Sequence, residues 1–148
     1  NDDIQTMTRA SWDMHMEPNL RAPLRLTQLM AESLEQSNGS GSVINLIDQR
    51  VLKLTPQFLS YTVSKTALWT LTQTLAQALA PRVRVNAIAP GLILPPPGQD
   101  LAYLARKADQ IPVQRVGSPH ALAPALLYLA RSDFVTGDLI FVTGGEHL

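Results

Sequence analysis

Two apolar, β-favouring runs, VINLI (Val43–Ile47) and VRVNAIA (Val83–Ala89), stand on either side of a long segment of helix composition. That segment, YTVSKTALWTLTQTLAQALA (Tyr61–Ala80), is rich in Ala, Leu and Gln, holds no Gly or Pro, and is closed by Pro81. No other feature constrains the fold as strongly. Parallel neighbours need a crossover about as long as a helix, so strand, helix and strand in that order predict a right-handed parallel unit. VINLI is unbroken rather than alternating, the pattern of a strand covered on both faces.

The flanking sequence extends the alternation. From Ser11 to about Gln36 the residues Trp12, Met16, Leu20, Leu24, Met30 and Leu34 recur at helix spacing, with Thr8 or Ser11 as cap. Pro18 and Pro23 interrupt this stretch and predict a short helix, a kink and a longer helix. SNGSGS (Ser37–Ser42) reads as a loop. After the second strand a proline-rich loop, LILPPPGQ, leads to a short helix over Asp100–Asp109. Next comes PHALAPALLYLARS, with Ser118 as cap and Pro119 at the first position, and then a third strand, LIFV, ahead of Gly144 and Gly145. The expectation is one α/β domain with parallel strands, in which ligands sit beyond the carboxyl ends of the strands. The positions just after Ile47, Ala89 and Val142 are therefore the informative ones.

Composition narrows the partners. Twelve basic and twelve acidic side chains cancel, and only 16% of residues are charged, so nothing argues for nucleic acid or an anionic membrane. A small molecule or another protein is the expected ligand. Cysteine is absent, which excludes thiolate chemistry, and His15, His120 and His147 are too scattered to predict a metal site. No apolar run reaches the ~18 residues of a membrane span, and the start has no basic-then-apolar leader, so the expectation is a soluble, cytoplasmic protein.

The first strand exits onto Asp48, and thirteen residues later the long helix opens with Tyr61 and Lys65. Spacing of i, i+4 puts phenol and ammonium on one helical face, where the lysine charge is expected to favour the phenolate. Such a pair is often a plain surface contact. Here it sits in the first turns of a helix that follows a strand exit carrying a third polar residue.

These residues are part of a wider signature. Y-x-x-x-K at Tyr61 and Lys65, R-V-N-x-I-x-P-G over Arg84–Gly91, NLRAP over Asn19–Pro23 and the closing FVTGDLIFVTGG together resemble the short-chain dehydrogenase/reductase family across nearly the whole chain. The resemblance implies that Tyr61 exchanges a proton with the substrate while nicotinamide exchanges a hydride, and that Lys65 assists it and binds the nicotinamide ribose. It implies that Asn19 holds a water of a proton relay, or alternatively satisfies backbone freed by the prolines. It implies that Pro90, Gly91, Leu92 and Ile93 line the nicotinamide end.

Two departures refine this. The family's usual serine is Asp48, which resembles the pteridine reductase and dihydromonapterin reductase branch and implies an NADPH-dependent reduction of a pterin-like C=N bond. A carboxyl group can hold a protonated ring nitrogen or pass a proton, although aspartate is also a favoured turn cap. Pro95 stands where the family has a cofactor-contacting threonine. The phosphate-cradling T-G-x-x-x-G-x-G loop is absent from the sequence. The expectation is therefore that residues 1–148 form the C-terminal part of a doubly wound Rossmann fold, with the dinucleotide-binding half preceding Asn1. The alternatives are a carbonyl or alcohol oxidoreductase, with NADH not excluded, or a non-catalytic oligomer-forming fragment. The family also implies a homo-oligomer, a dimer or homotetramer, formed through the two long helices.

Overall fold

The computed structural model describes residues 2–96 and 98–148, so Asn1 and Pro97 lie outside the described residues. Helix α1 (Arg9–Met16) starts at Thr8, whose side chain accepts the Ser11 N–H while Ser11 returns a bond to the Thr8 backbone. The expected kink is a single π-helical turn over Glu17–Arg21, directly continued by α2 (Ala22–Gln36). Pro18 opens that turn with no N–H of its own, and the wider π geometry absorbs the missing bond.

Strand β1 (Gly41–Leu46) leads through a short 3-10 turn (Gln49–Val51) to α3 (Leu59–Leu79), and β2 (Val83–Pro90) follows. A loop, α4 (Leu101–Lys107) and a second 3-10 turn (Ala108–Gln110) precede α5 (Pro119–Arg131) and β3 (Leu139–Val142). The order in the sheet is β1-β2-β3, and both pairings are parallel, with Gly41 opposite Val83 and Ala87 opposite Leu139. The crossovers are the helical ones expected from the alternation. The Ser118 side chain makes no capping bond, so the start of α5 relies on Pro119 at its first turn.

Alternate residues of β2 serve opposite faces. Val83, Val85, Ala87 and Ala89 pack against Leu68 and Ala76 of α3, with Met30 and Leu34 of α2 closing the lower part. On the other face, Arg84 donates to the carbonyls of Leu129, Ala130 and Val135, capping the end of α5. Asn86, fully buried, ties β2 to the turn before β3 by donating to the Val135 carbonyl and accepting the Asp138 N–H. The R-V-N part of the sequence signature is thus a structural device that binds a helix end and a turn to the central strand. Val85, Ala87, Ile88 and Ala89 are all completely buried, as a strand covered on both sides must be. No helix among the described residues is long and apolar enough to cross a membrane.

Candidate active site

Beyond the carboxyl ends of β1 and β2 lies a cavity of about 820 Å³. Asn19, Asp48, Tyr61, Pro90, Gly91 and Leu92 all line it. Six of the eight residues singled out from the sequence are thereby gathered at one place, where the strand order predicted a site.

Asp48 leaves β1 with an extended backbone and caps the following turn, its Oδ1 accepting the Arg50 N–H at 2.8 Å. Its second oxygen, Oδ2, accepts the Tyr61 hydroxyl proton at 2.7 Å. The cap reading and the chemical reading of Asp48 therefore hold together, one on each oxygen. Tyr61 is placed in the first turn of α3 by Phe58, whose φ of 60° is a left-handed conformation uncommon for a bulky residue. The Arg50 guanidinium lies 4.2 Å from the centre of the Phe58 ring and covers it.

Lys65 does not join this pair. Its ammonium donates to the Leu46 carbonyl at 2.8 Å, sits 5.8 Å from the centre of the Tyr61 ring, and lines a neighbouring depression of about 500 Å³ that shares Asn19 with the main cavity. The expected acidification of the phenol is reversed in this arrangement. Burial first, and then the charge and hydrogen bond of Asp48, push the Tyr61 pKa above its ordinary value. The carboxylate in direct contact outweighs the opposing pull of the Arg50 charge. Burial also lowers the Lys65 pKa, against the opposing pull of Asp48.

Asn19 sits on the π-helical turn and donates to the Ser64 hydroxyl at 3.1 Å, and Ser64 in turn donates to the Tyr61 carbonyl at 2.7 Å. The turn created by the prolines is thus linked to the backbone of the tyrosine. At the end of β2, Gly91 is required by close approach: an added Cβ would lie 2.8 Å from both Thr143 Cα and Glu146 Oε2.

Ile93 is the second correction. It lines a separate depression of about 320 Å³ beside Phe141 and Gly117, because the chain turns away after Leu92. The main-chain groups of Leu92 are already engaged, its N–H by Glu146 Oε2 at 2.8 Å and its carbonyl by the Gly117 N–H at 3.0 Å. The N–H and carbonyl of Ile93 make no hydrogen bond among the described residues.

Among the cavity-lining residues without a site role in the sequence analysis are Asp2, His15, Arg50 and Glu146. His15 stands four residues before Asn19 in a helical stretch, so spacing alone was a signal that both share a face. Glu146 carried no comparable signal, since its place depends on how the C-terminal segment folds over the Pro90–Leu92 turn. Tyr103 lines the cavity, and Leu104, only 6% exposed, anchors α4. Leu94 and Pro96 also line the cavity, so the proline-rich loop contributes to its wall.

Chemically, the site holds a buried hydroxyl proton on Tyr61, a carboxylate that accepts it, and a cavity large enough for a heterocycle beside both. Comparison with known proteins gives three kinds of match. A family described as enoyl-(acyl carrier protein) reductase matches residues 1–147. Human dehydrogenase/reductase SDR family member 4 is 35% identical over 149 residues, covering 96% of this chain and 53% of that protein. The 3-oxoacyl-[acyl-carrier-protein] reductase FabG of Thermotoga maritima is 34% identical, over 94% of this chain and 58% of that protein. Among solved structures, FolM alternative dihydrofolate reductase 1 from Brucella suis in complex with NADP is 43% identical with a TM-score of 0.93, over 99% of this chain and 59% of that one. Its counterpart from Brucella canis, also complexed with NADP, is 44% identical with the same TM-score of 0.93, over 99% of this chain and 58% of that one. The chain spans about half the length of the curated relatives it matches.

Proposed function

The chain belongs to the short-chain dehydrogenase/reductase family, and from that premise we propose that it is the catalytic part of an NADPH-dependent reductase of a pterin-like C=N bond, with Tyr61 as proton donor. The observation that carries this reading is the 2.7 Å hydrogen bond from Tyr61 to Asp48 inside the cavity. Its support from outside is the 43% identity to the FolM alternative dihydrofolate reductase 1 of Brucella suis, solved in complex with NADP.

In this reading the nicotinamide cofactor supplies a hydride when bound. The residues present suit its nicotinamide end: Lys65 and Tyr61 for the ribose, with Pro90, Gly91 and Leu92 forming the cavity wall beside them. A phosphate loop of the T-G-x-x-x-G-x-G type would come from a segment outside these 148 residues. Tyr61 holds its proton at Oη, kept there by burial and by Asp48, and delivers it to the nitrogen of the bond being reduced. Asp48, oriented by the Arg50 N–H, then faces a substrate ring nitrogen as acceptor or as the next proton source. Asn19 and Ser64 hold the tyrosine backbone, and a water on Asn19 would return the proton. Exposed Leu26 and Leu29 on α2 and Val63 on α3 support the further reading that two long helices form a homo-oligomer contact.

A second reading, reduction of an ordinary carbonyl, is favoured by the 34% identity to a 3-oxoacyl reductase. Turnover by the full-length protein separates the two. With NADPH, dihydrobiopterin or dihydromonapterin is expected to be reduced in preference to acetoacetyl and simple ketone substrates, and the reverse preference would overturn the pterin reading.

A further inference from the structure

Immediately behind the catalytic tyrosine lies a polar chain that the reaction described above does not use. Ser60, the residue before Tyr61, is completely buried, and Asp2 is only 4% exposed. The Ser60 hydroxyl donates to Asp2 Oδ2, and the Ser60 N–H donates to Asp2 Oδ1 at 3.2 Å. Burial works against the Asp2 charge, but the bonds from Ser60, with Ser11 and the nearby His15, hold its carboxyl below the usual carboxylate range.

A hydroxyl has one proton. With that proton given to the carboxylate, Ser60 Oγ can only accept from its other neighbour, His15 Nδ1 at 2.7 Å. The tautomer of His15 follows: Nδ1 carries hydrogen, and Nε2, on the opposite side of the ring, makes no hydrogen bond among the described residues. The ring lines the cavity and stands edge-on to Tyr61, with centroids 5.7 Å apart and planes at 74°. A buried carboxylate and hydroxyl that fix one ring nitrogen and leave the other unpaired at a cavity wall are the means by which proteins aim an imidazole at a ligand.

We infer that His15 is a specificity-determining residue of this cavity, its Nε2 receiving a polar group on the edge of an amino-oxo heterocycle remote from the bond reduced. The inference rests on the pterin-reductase reading above. Ser60 and Asp2 are then positioning residues that act through His15.

The test is steady-state kinetics of the full-length protein with NADPH and dihydrobiopterin, for wild type, His15→Leu, His15→Gln and Ser60→Ala. Loss of one substrate hydrogen bond is expected to raise the KM for dihydrobiopterin roughly tenfold or more in His15→Leu. His15→Gln, which keeps a polar end, should recover part of this. Ser60→Ala, which frees the ring without removing it, should fall between wild type and His15→Leu. The KM for NADPH should stay within about twofold throughout, since the cofactor contacts are elsewhere. An unchanged KM for dihydrobiopterin in His15→Leu overturns the inference and leaves the reductase reading standing. A parallel rise in both KM values also overturns it, by showing a structural role. A wild type that reduces ketones but no dihydropterin overturns the reductase reading itself, and the inference with it.

Discussion

Replacing Asp48 with asparagine isolates the charge that holds the Tyr61 proton. The two groups are 2.7 Å apart, and the hydroxyl donates to an ionised partner. A bond of this charge-assisted kind contributes about 1.5–3 kcal/mol. In the variant the one side-chain oxygen stays with the Arg50 N–H, and the amide nitrogen, which can only donate, faces the phenol oxygen. About 1.5–3 kcal/mol of preference for the protonated phenol is therefore lost. Asparagine also preserves the cap, because its side-chain oxygen can still accept the Arg50 N–H. The sign follows from the direction of reaction. In the proposed reduction Tyr61 gives up a proton, so the rate should be lost as pH rises through the phenol's pKa. Burial and Asp48 both raise that pKa, and removing the charge takes away the second contribution while leaving the first. The alkaline limb of kcat against pH should therefore move to lower pH by about one to two units in Asp48→Asn. If Asp48 also passes a proton to a substrate nitrogen, turnover of a dihydropterin should fall by about 100-fold or more, with ketone turnover affected less. The assay is NADPH oxidation, followed by the absorbance of the reduced ring, across the alkaline range. An alkaline limb at the wild-type position, together with an unchanged ratio of pterin to ketone rates, would refute the assignment.

Two further variants test the scaffold and the lysine. Asn86→Ala leaves the Val135 carbonyl and the Asp138 N–H without their partner in a fully buried place, and urea unfolding should show a loss of about 1–3 kcal/mol. For Lys65, whose pKa is lowered by burial, the depressed folded value means that its favourable contribution exists above the unfolded lysine pKa and is lost as pH falls through the folded one. At neutral pH the ammonium is thus a net cost to folding, and Lys65→Met should have a thermal midpoint at or above wild type while losing reductase activity; a clear fall in midpoint would contradict this.

The scaffold was legible in the sequence because its signals are local. VINLI and LIFV are read by runs of neighbours, and the kink in the first helix by two prolines. The type of the kink was not legible, because a π-helical turn differs from a simple bend only in which carbonyl each N–H reaches. The site divides along the same line. Spacing put Asp48 at a strand exit and Tyr61 in the opening turn of a helix, and those places are set by backbone alone. Which of Asp48 and Lys65 engages the phenol depends on side-chain reach across two elements. The lysine, four residues on from Tyr61, found a closer acceptor in the Leu46 carbonyl. Ile93 was misplaced for a related reason, since one turn of the chain after Leu92 is enough to send it into a different depression.

The two bonds of Asp48 together explain why the residue suits a reductase better than the serine usual at its position in the family. Oδ1 is fixed by the Arg50 N–H, so Oδ2 is aimed at Tyr61 without help from the tyrosine. An acceptor oriented in advance needs no reorganisation when the substrate arrives. A serine hydroxyl has a single oxygen, and a cap bond and a tyrosine bond would compete for it. The carboxylate also adds a charge that serine lacks, and that charge works in one direction only: it keeps the phenol protonated. Oxidation of an alcohol needs the phenolate as base, whereas reduction needs the phenol as acid. With Lys65 donating to the end of β1 and Asp48 in contact with the hydroxyl, the arrangement favours the acid form of Tyr61.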